Sequence, residues 1–360
     1  MALASFTRRT LAACGLSVTL SALAFAPLAS AQQTQLNGSG ASFPFPLYAK
    51  WAKDFSKQNK GIQVQYQAVG SGAGIRAFIA ETVDFAASDA AMNDEEIAKV
   101  PTEKGVVLLP MTAGEVVLSY NLPGNPELKL PRDVLIDIFS GKLTTWQDER
   151  IQQANPEVKF PDDDITVVRR SDSSGTTYVF TGHLAAVSDD FAKDVGHGKS
   201  VNWPKSFVGA PKNDGVAAMI KQTPGAIGYI EYGYAEATGQ PMAILQNKAG
   251  KFVKPGEASG QAALASAEFP SGDLPGYAGT PDLRVWVSDP AGEEAYPIAT
   301  FTWMLMYQQQ DEEKAKVLRD FIEYGLNEGQ KDAPKLGYIP LPENVKAKVE
   351  DALKLVGGSK

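Results

Sequence analysis

The sequence predicts an α/β fold, and three observations carry that prediction. Strand-like and helix-like segments alternate along the chain. Three Gly/Ser-rich loops each follow a strand-like stretch and open an amphipathic helix. About 330 residues follow a short apolar leader, enough for two domains that each bury a core.

The elements follow in order. Leu47, Tyr48, Trp51, Ala52 and Phe55 recur at helical spacing, and Ile75, Phe78 and Ile79 mark a second, shorter helix. Asp84–Ser88 reads as a short strand. Val106–Met111 and Glu115–Leu122 are continuous apolar runs, as in strands buried on both faces. Val134, Leu135 and Ile138 predict a helix, with Gly141 in the position that ends it. Ile165–Arg170 predicts a strand, and Thr176–Ala186 a helix with Thr177, Phe180 and Leu184 on one face. Gly225–Tyr232, Leu283–Val287 and Ile298–Tyr307 read as further strands. Val317, Leu318, Phe321 and Ile322 mark one more helix, and Val345, Val349, Ala352 and Val356 the last. Residues 233–282 are rich in Gly, Ala, Ser and Pro and read as a loop-heavy excursion. A domain boundary falls near residue 111.

Residues 1–31 read as a signal peptide. Arg8 and Arg9 precede an apolar stretch from Leu11 to about Leu28, and Ala29-Ser30-Ala31 has the small-residue look of a cleavage site. Leu11–Cys14 resembles a lipoprotein box, but almost no apolar run precedes Cys14. Thr7–Thr10 hints at a twin-arginine signal that the following residues do not continue. Cleavage removes the only cysteine, so stability must come from burial without disulfides. Beyond the leader, no stretch reaches the roughly 18 apolar residues of a membrane span. There 32 basic residues face 42 acidic ones, a net charge of −10. That balance argues against a nucleic-acid partner. It leaves room for a small anion held by local N–H groups and one arginine.

The chemistry concentrates in the three glycine loops: Asn37–Phe43, Val69–Gly74 and Arg169–Thr176. A helix start leaves N–H groups without partners and adds partial positive charge. Glycine lets the backbone approach a ligand, and serine and threonine hydroxyls add donors. Each loop taken alone is ordinary capping and turn chemistry. Three of them, at the strand ends of one α/β sheet, could surround a tetrahedral oxyanion.

Arg170 sits where a strand becomes a loop, and its fork suits a pair of phosphate oxygens. Asp172 could brace Arg170 or cap the next helix. Asp89 reads in two ways. Composition favours a cap for a helix starting near Asn93. As an acceptor beside an anion site, it would gain a hydrogen bond from phosphate, which carries a proton near neutral pH, and repel sulfate, which carries none.

The chain has only two histidines, His183 and His197, and no Cys/His metal pattern. Gly72 stands where a nucleophile elbow needs serine. Lys193 stands where a phosphate-loop NTPase motif needs its first glycine. No nucleophile is assembled with a base, so neither an enzyme nor a cofactor is expected. A secreted phosphatase-like enzyme and a binder of another oxyanion remain the alternatives.

Six segments carry a family resemblance: GSGASFPFPLYAKW, YQAVGSGAG, TVDFAASDAAM, VVRRSDSSGTTYVF, NDGVAA and TPGAIGYIEY. In this order, and across nearly all of the chain beyond the leader, they resemble the phosphate-binding proteins of high-affinity phosphate ABC transporters. The resemblance implies a periplasmic, two-lobed type II binding-protein fold whose chain crosses twice between lobes. One lobe would take residues 32–111 and 297–360, the other 112–296. It implies a monomer that binds inorganic phosphate and docks on a membrane permease. It carries phosphate contacts to Ser42, Phe43 (through its backbone amide), Ser71, Asp89, Arg170, Ser174, Gly175 and Thr176, with Asp172 paired to Arg170. Ser42 replaces a common threonine, and GSGAG replaces the commoner GSSGG. Both changes keep the key hydroxyl and bear on affinity.

Overall fold

The computed structural model describes residues 33–358, so the signal-peptide reading lies outside the described residues. In chain order the strands are β1 (Thr34–Gly40), β2 (Ile62–Ala68), β3 (Phe85–Ser88), β4 (Val107–Tyr120), β5 (Lys129–Leu130), β6 (Thr166–Arg170), β7 (Val208–Ala210), β8 (Ala226–Glu231), β9 (Ile244–Gln246), β10 (Phe252–Val253), β11 (Ala299–Met306), β12 (Gln309–Gln310) and β13 (Gly357–Gly358). The helices are α1 (Phe45–Gln58), α2 (Ser71–Ile79), α3 (Asp94–Ile97), α4 (Arg132–Phe139), α5 (Glu149–Ala154), α6 (Gly175–Val187), α7 (Asp189–Asp194), α8 (Lys212–Gln222), α9 (Tyr232–Thr238), α10 (Glu257–Leu264), α11 (Glu312–Asn327) and α12 (Glu343–Leu353).

Eight strands form one sheet in the order β2-β1-β3-β11-β4-β8-β6-β7. Its two flanks are parallel: β1 with β2 and β3, and β6 with β7 and β8. Between them β11 runs antiparallel to both β3 and β4, and β4 runs antiparallel to β8. β4 changes partner along its length, pairing β11 up to Glu115 and β8 from Val116. The apolar runs at 106–111 and 115–122, read as two strands, are thus one buried strand. The small, partly polar Thr112-Ala113-Gly114 between them looks like a break, yet all three residues pair with β11. Pro110 cannot donate a ladder bond, and the β4–β11 register shifts beside it, between Thr302 and Trp303.

The predicted strand Leu283–Val287 does not form. Its polar groups go to side chains and to irregular backbone instead. Arg284 N and Nε donate to Asp282 Oδ1, and Leu283 O accepts from Trp303 Nε1 at 2.7 Å. Leu283 and Val285 are still buried, so the apolar signal reported burial rather than pairing. Residues 233–282 carry α9, β9, β10 and α10, more regular structure than their composition suggests. Tyr232 opens α9 rather than ending a strand, and Val356 lies past the end of α12 but is buried. The helices at 45–58 and 71–79 bury the residues their periodicity marks, apart from half-buried Ile79.

Parallel pairing sets up the site. Gly40 lies level with Ala68 and Ala87, so the loops leaving β1, β2 and β3 emerge side by side. Arg170 lies level with Ala210, so the loops leaving β6 and β7 do the same on the other flank. Such strand ends are where α/β sheets collect ligands.

Where β4 changes partner, Glu115 is buried and accepts from Gly256 N at 2.7 Å and Ser259 Oγ at 3.1 Å. Burial pushes its pKa from 4.5 up to about 8, against those two hydrogen bonds. A carboxyl that holds its proton more tightly when folded favours the fold at low pH. That contribution is lost as pH rises from the unfolded value through the folded one. Glu115→Gln is therefore expected to flatten the decline in thermal stability between pH 4.5 and about 8, as read by melting temperature across pH.

Candidate functional site

The loops of the two flanks meet and hydrogen-bond to one another. Gly72 N donates to Ser173 O at 3.0 Å, and Gly175 N donates to Ser71 Oγ at 3.1 Å. Asn213 donates to Ser42 Oγ from both its backbone N, at 3.1 Å, and its Nδ2, at 3.0 Å. Close approach demands glycine here. A Cβ on Gly175 would lie 2.5 Å from both Asp89 Oδ2 and Ser71 Oγ. Gly70, at φ +89°, would place one 2.4 Å from Asp172 Oδ2.

Each residue singled out in the sequence has a definite place. Ser42 and Phe43 lie in the turn between β1 and α1, both buried. Their carbonyls accept from Tyr234 Oη at 2.6 Å and Tyr338 Oη at 2.7 Å. Ser71 is the first residue of α2 and fully buried, and its Oγ also accepts from Asp89 N at 3.4 Å. Ser174 caps α6 by accepting from Thr177 N at 3.0 Å, which leaves Gly175 and Thr176 as the opening residues of that helix. Ser42, Asn213, Thr176 and Arg170 form one hydrogen-bonded group and Ser71, Asp89 and Gly175 another, and the Gly175–Thr176 peptide joins the two into one cluster. Ser174 belongs to it through its own peptide. Phe43 lies beside it with its ring edge-on to Tyr338.

Arg170 is the buried cation of the cluster. Asp172 grips it at two points, from Nε to Oδ1 at 2.8 Å and from Nη2 to Oδ2 at 2.5 Å, while Nη1 donates to Thr176 Oγ1 at 3.2 Å. Its backbone N donates to Tyr229 Oη at 3.1 Å. Burial alone would push the Asp172 carboxyl up, but Arg170 and the Lys212 amide outweigh it and hold the group below its ordinary value. Asp172 therefore braces Arg170 and also caps a helix. That helix is α8, through Lys212 N at 3.0 Å, whereas the following helix α6 is capped by Ser174.

Asp89 is not the cap that its composition favours. Asn93 caps α3, accepting from Glu96 N at 2.8 Å with a reciprocal bond from Asn93 N to Glu96. Asp89 is buried, and its Oδ1 accepts from Thr302 Oγ1 at 2.8 Å. Burial pushes its pKa up to about 7, against the pull of Thr302, Arg170 and Ser71. The cluster thus sets several N–H and O–H donors and one guanidinium around one carboxylate.

Three polar residues at this junction escape the sequence reading. Asn213 at the start of α8 is fully buried and spans to Ser42 and Thr176. Thr302 on β11 holds Asp89, and Tyr229 on β8 holds Arg170. Asn213 sits in NDGVAA, one of the resembling segments, but nothing local marks it as an inward-facing donor. The two histidines are engaged elsewhere. His183 Nδ1 lies 2.7 Å from Ser288 O, and the His197 ring packs on Tyr178. Burial pushes the His183 pKa down to about 4. Among the described residues no His/Cys/Asp/Glu group is arranged to hold a metal ion, and no helix is long and apolar enough to cross a membrane.

Filling the space beside Gly175 should force the two sets of loops apart. Gly175→Ala is expected to destabilise the fold by about 1–3 kcal/mol, as in other overpacked sites, measured by urea unfolding.

Comparison with known proteins identifies the family. Residues 26–328 match the family model described as a PBP superfamily domain. A phosphate-binding protein PstS of Pasteurella multocida is 39% identical over 92% of this chain and 93% of its own. A phosphate-binding protein PstS of Methanocaldococcus jannaschii is 40% identical over 85% of this chain and 82% of its own. The solved phosphate-binding protein from Stenotrophomonas maltophilia superposes with a TM-score of 0.71 over 88% of this chain and 93% of its own, at 22% identity. That likeness speaks for the two-lobed type II binding-protein fold alone. The chain belongs to the PstS family of phosphate-binding proteins within the PBP superfamily.

Proposed function

We propose that this protein binds inorganic phosphate between its two lobes and delivers it to the membrane permease of an ABC importer. The observation that carries the reading is Asp89, a buried carboxylate set among donors. Ser42, Ser71 and Thr176 offer hydroxyls, the openings of α2 and α6 offer N–H groups, and Arg170 offers a charged fork. A fully deprotonated anion would meet repulsion from Asp89. Phosphate brings a proton for it, so the site favours an anion that carries a proton over one that carries none. Phosphate contacts are assigned to Ser42, Phe43 (by its amide), Ser71, Asp89, Arg170, Ser174, Gly175 and Thr176, with Asp172 bracing Arg170.

The lobes are assigned as residues 32–111 with 297–360, and 112–296. The change of partner along β4 at Glu115 and Val116 supports a hinge close to that boundary. Closure about such a hinge is the mode of periplasmic binding proteins, which are the standard example of this motion. Residues 1–31 are assigned as an export signal, giving a monomeric periplasmic protein. The role is read as binding without catalysis, since both histidines lie in other contacts and the relatives at 39–40% identity are phosphate-binding proteins.

Two outcomes test the reading. Arg170→Ala is expected to weaken phosphate binding at least about 100-fold, as removal of a buried charged partner does, measured by isothermal titration calorimetry. An unchanged dissociation constant contradicts the assignment. For sulfate, binding requires Asp89 to take up a proton, since Arg170, Asp172, Tyr48, Glu231, Ser71 and Thr302 already fix the field around it. Sulfate affinity is expected to rise by up to about tenfold per pH unit as pH falls toward 7 and to level off below it. Asp89→Asn is expected to abolish that dependence and to narrow the preference for phosphate over sulfate.

A further inference from the structure

Asn213 deserves a role beyond the contacts already assigned, because it decides where two hydroxyl protons point. Ser42 Oγ accepts from Asn213 N at 3.1 Å and from Asn213 Nδ2 at 3.0 Å. Thr176 Oγ1 accepts from Asn213 Nδ2 at 3.2 Å and from Arg170 Nη1 at 3.2 Å. A hydroxyl has two lone pairs and one proton. With both lone pairs engaged, its only remaining capacity is to donate. The orientation of the Asn213 amide is itself fixed, since its Oδ1 accepts from Glu231 N at 3.0 Å and leaves Nδ2 facing the hydroxyls. Asn213, Ser42 and Thr176 are all buried at 1% exposure or less, so water does not compete for these bonds.

We propose that Asn213 is a positioning residue that holds the Ser42 and Thr176 hydroxyls as obligate donors toward the bound anion. The inference rests on the phosphate-binding reading and deepens it. Ser42 lies after β1 and Thr176 on α6, so one residue, through its amide side chain and its own backbone N–H, sets the proton direction in loops from both flanks of the sheet. The pattern leaves Asp89 as the acceptor of the ligand's proton. A hydroxyl free to rotate could accept from that proton as well, and would blur the distinction between phosphate and anions that carry a different number of protons.

The test uses calorimetry with inorganic phosphate and sulfate on the full-length mature protein. Asn213→Ala is expected to weaken phosphate binding about tenfold, the size of one hydrogen bond's loss. In a Ser42→Ala/Thr176→Val background, the same substitution should change affinity less than about twofold, because its targets are gone. A second tenfold loss in that background, additive with the first, would mean that Asn213 supports the fold in general, and would overturn the proposal. A direct readout needs no variant. In the parent's complex with phosphate, ³¹P–¹H correlation spectra should show couplings from the phosphorus to the Ser42 and Thr176 hydroxyl protons. Their absence, with other protein–phosphate couplings present, overturns it too. Failure of the parent to bind phosphate at all would instead sink the ligand assignment, and the proposal with it.

Discussion

The site depends above all on how Asp172 holds what surrounds it. Its two oxygens grip the Arg170 fork, and one of them also accepts from Lys212 N at the start of α8. One carboxylate thus fixes the guanidinium at the end of β6 and the helix that delivers Asn213. A partly buried ion pair of this kind is weak as a source of stability, because the cost of desolvating the charges offsets much of their attraction. Its value is geometric. The fork keeps Nη1 directed at Thr176, and a guanidinium held in this way loses little freedom on meeting an anion. With Asp172 cancelling its charge, the net attraction for an anion comes mainly from oriented N–H and O–H dipoles, which a dry site strengthens.

The sheet explains why so few residues suffice. Parallel pairing brings the ends of β1, β2 and β3 level on one flank and those of β6 and β7 level on the other. Two long strands, β4 and β11, run between the flanks and are buried throughout. The closure proposed above would be absorbed where β4 exchanges one partner for the other. Glu115, Gly114 and the bulge near Thr302 cluster in that stretch, and Thr302 also holds Asp89. The acceptor of the site is thereby tied to the strand that links the flanks.

Much of this was legible in the sequence, for identifiable reasons. Glycine loops opening amphipathic helices are local signals, and the helices at 45–58 and 71–79 bury most of the residues their spacing marks. Arg170 at a strand end was legible for the same reason. Other features depend on partners far along the chain. Asp89 looks like a cap until Asn93 is seen to cap α3 and Thr302, 213 residues away, is seen to reach it. Asn213 contacts Ser42 across 171 residues, and no local pattern announces that. Leu283–Val287 misled because burial and strand pairing leave the same apolar trace. The 106–122 region misled because three small, partly polar residues, Thr112-Ala113-Gly114, read as a gap.

The most direct test is an atomic-resolution crystal structure of the protein with phosphate. The account predicts one anion enclosed by Ser42, Ser71, Arg170 and Thr176, with an Asp89 carboxylate oxygen about 2.5–2.7 Å from a phosphate oxygen, as a short charge-assisted bond requires. Phosphate bound elsewhere, or enclosed there with Asp89 turned away from it, would contradict the account.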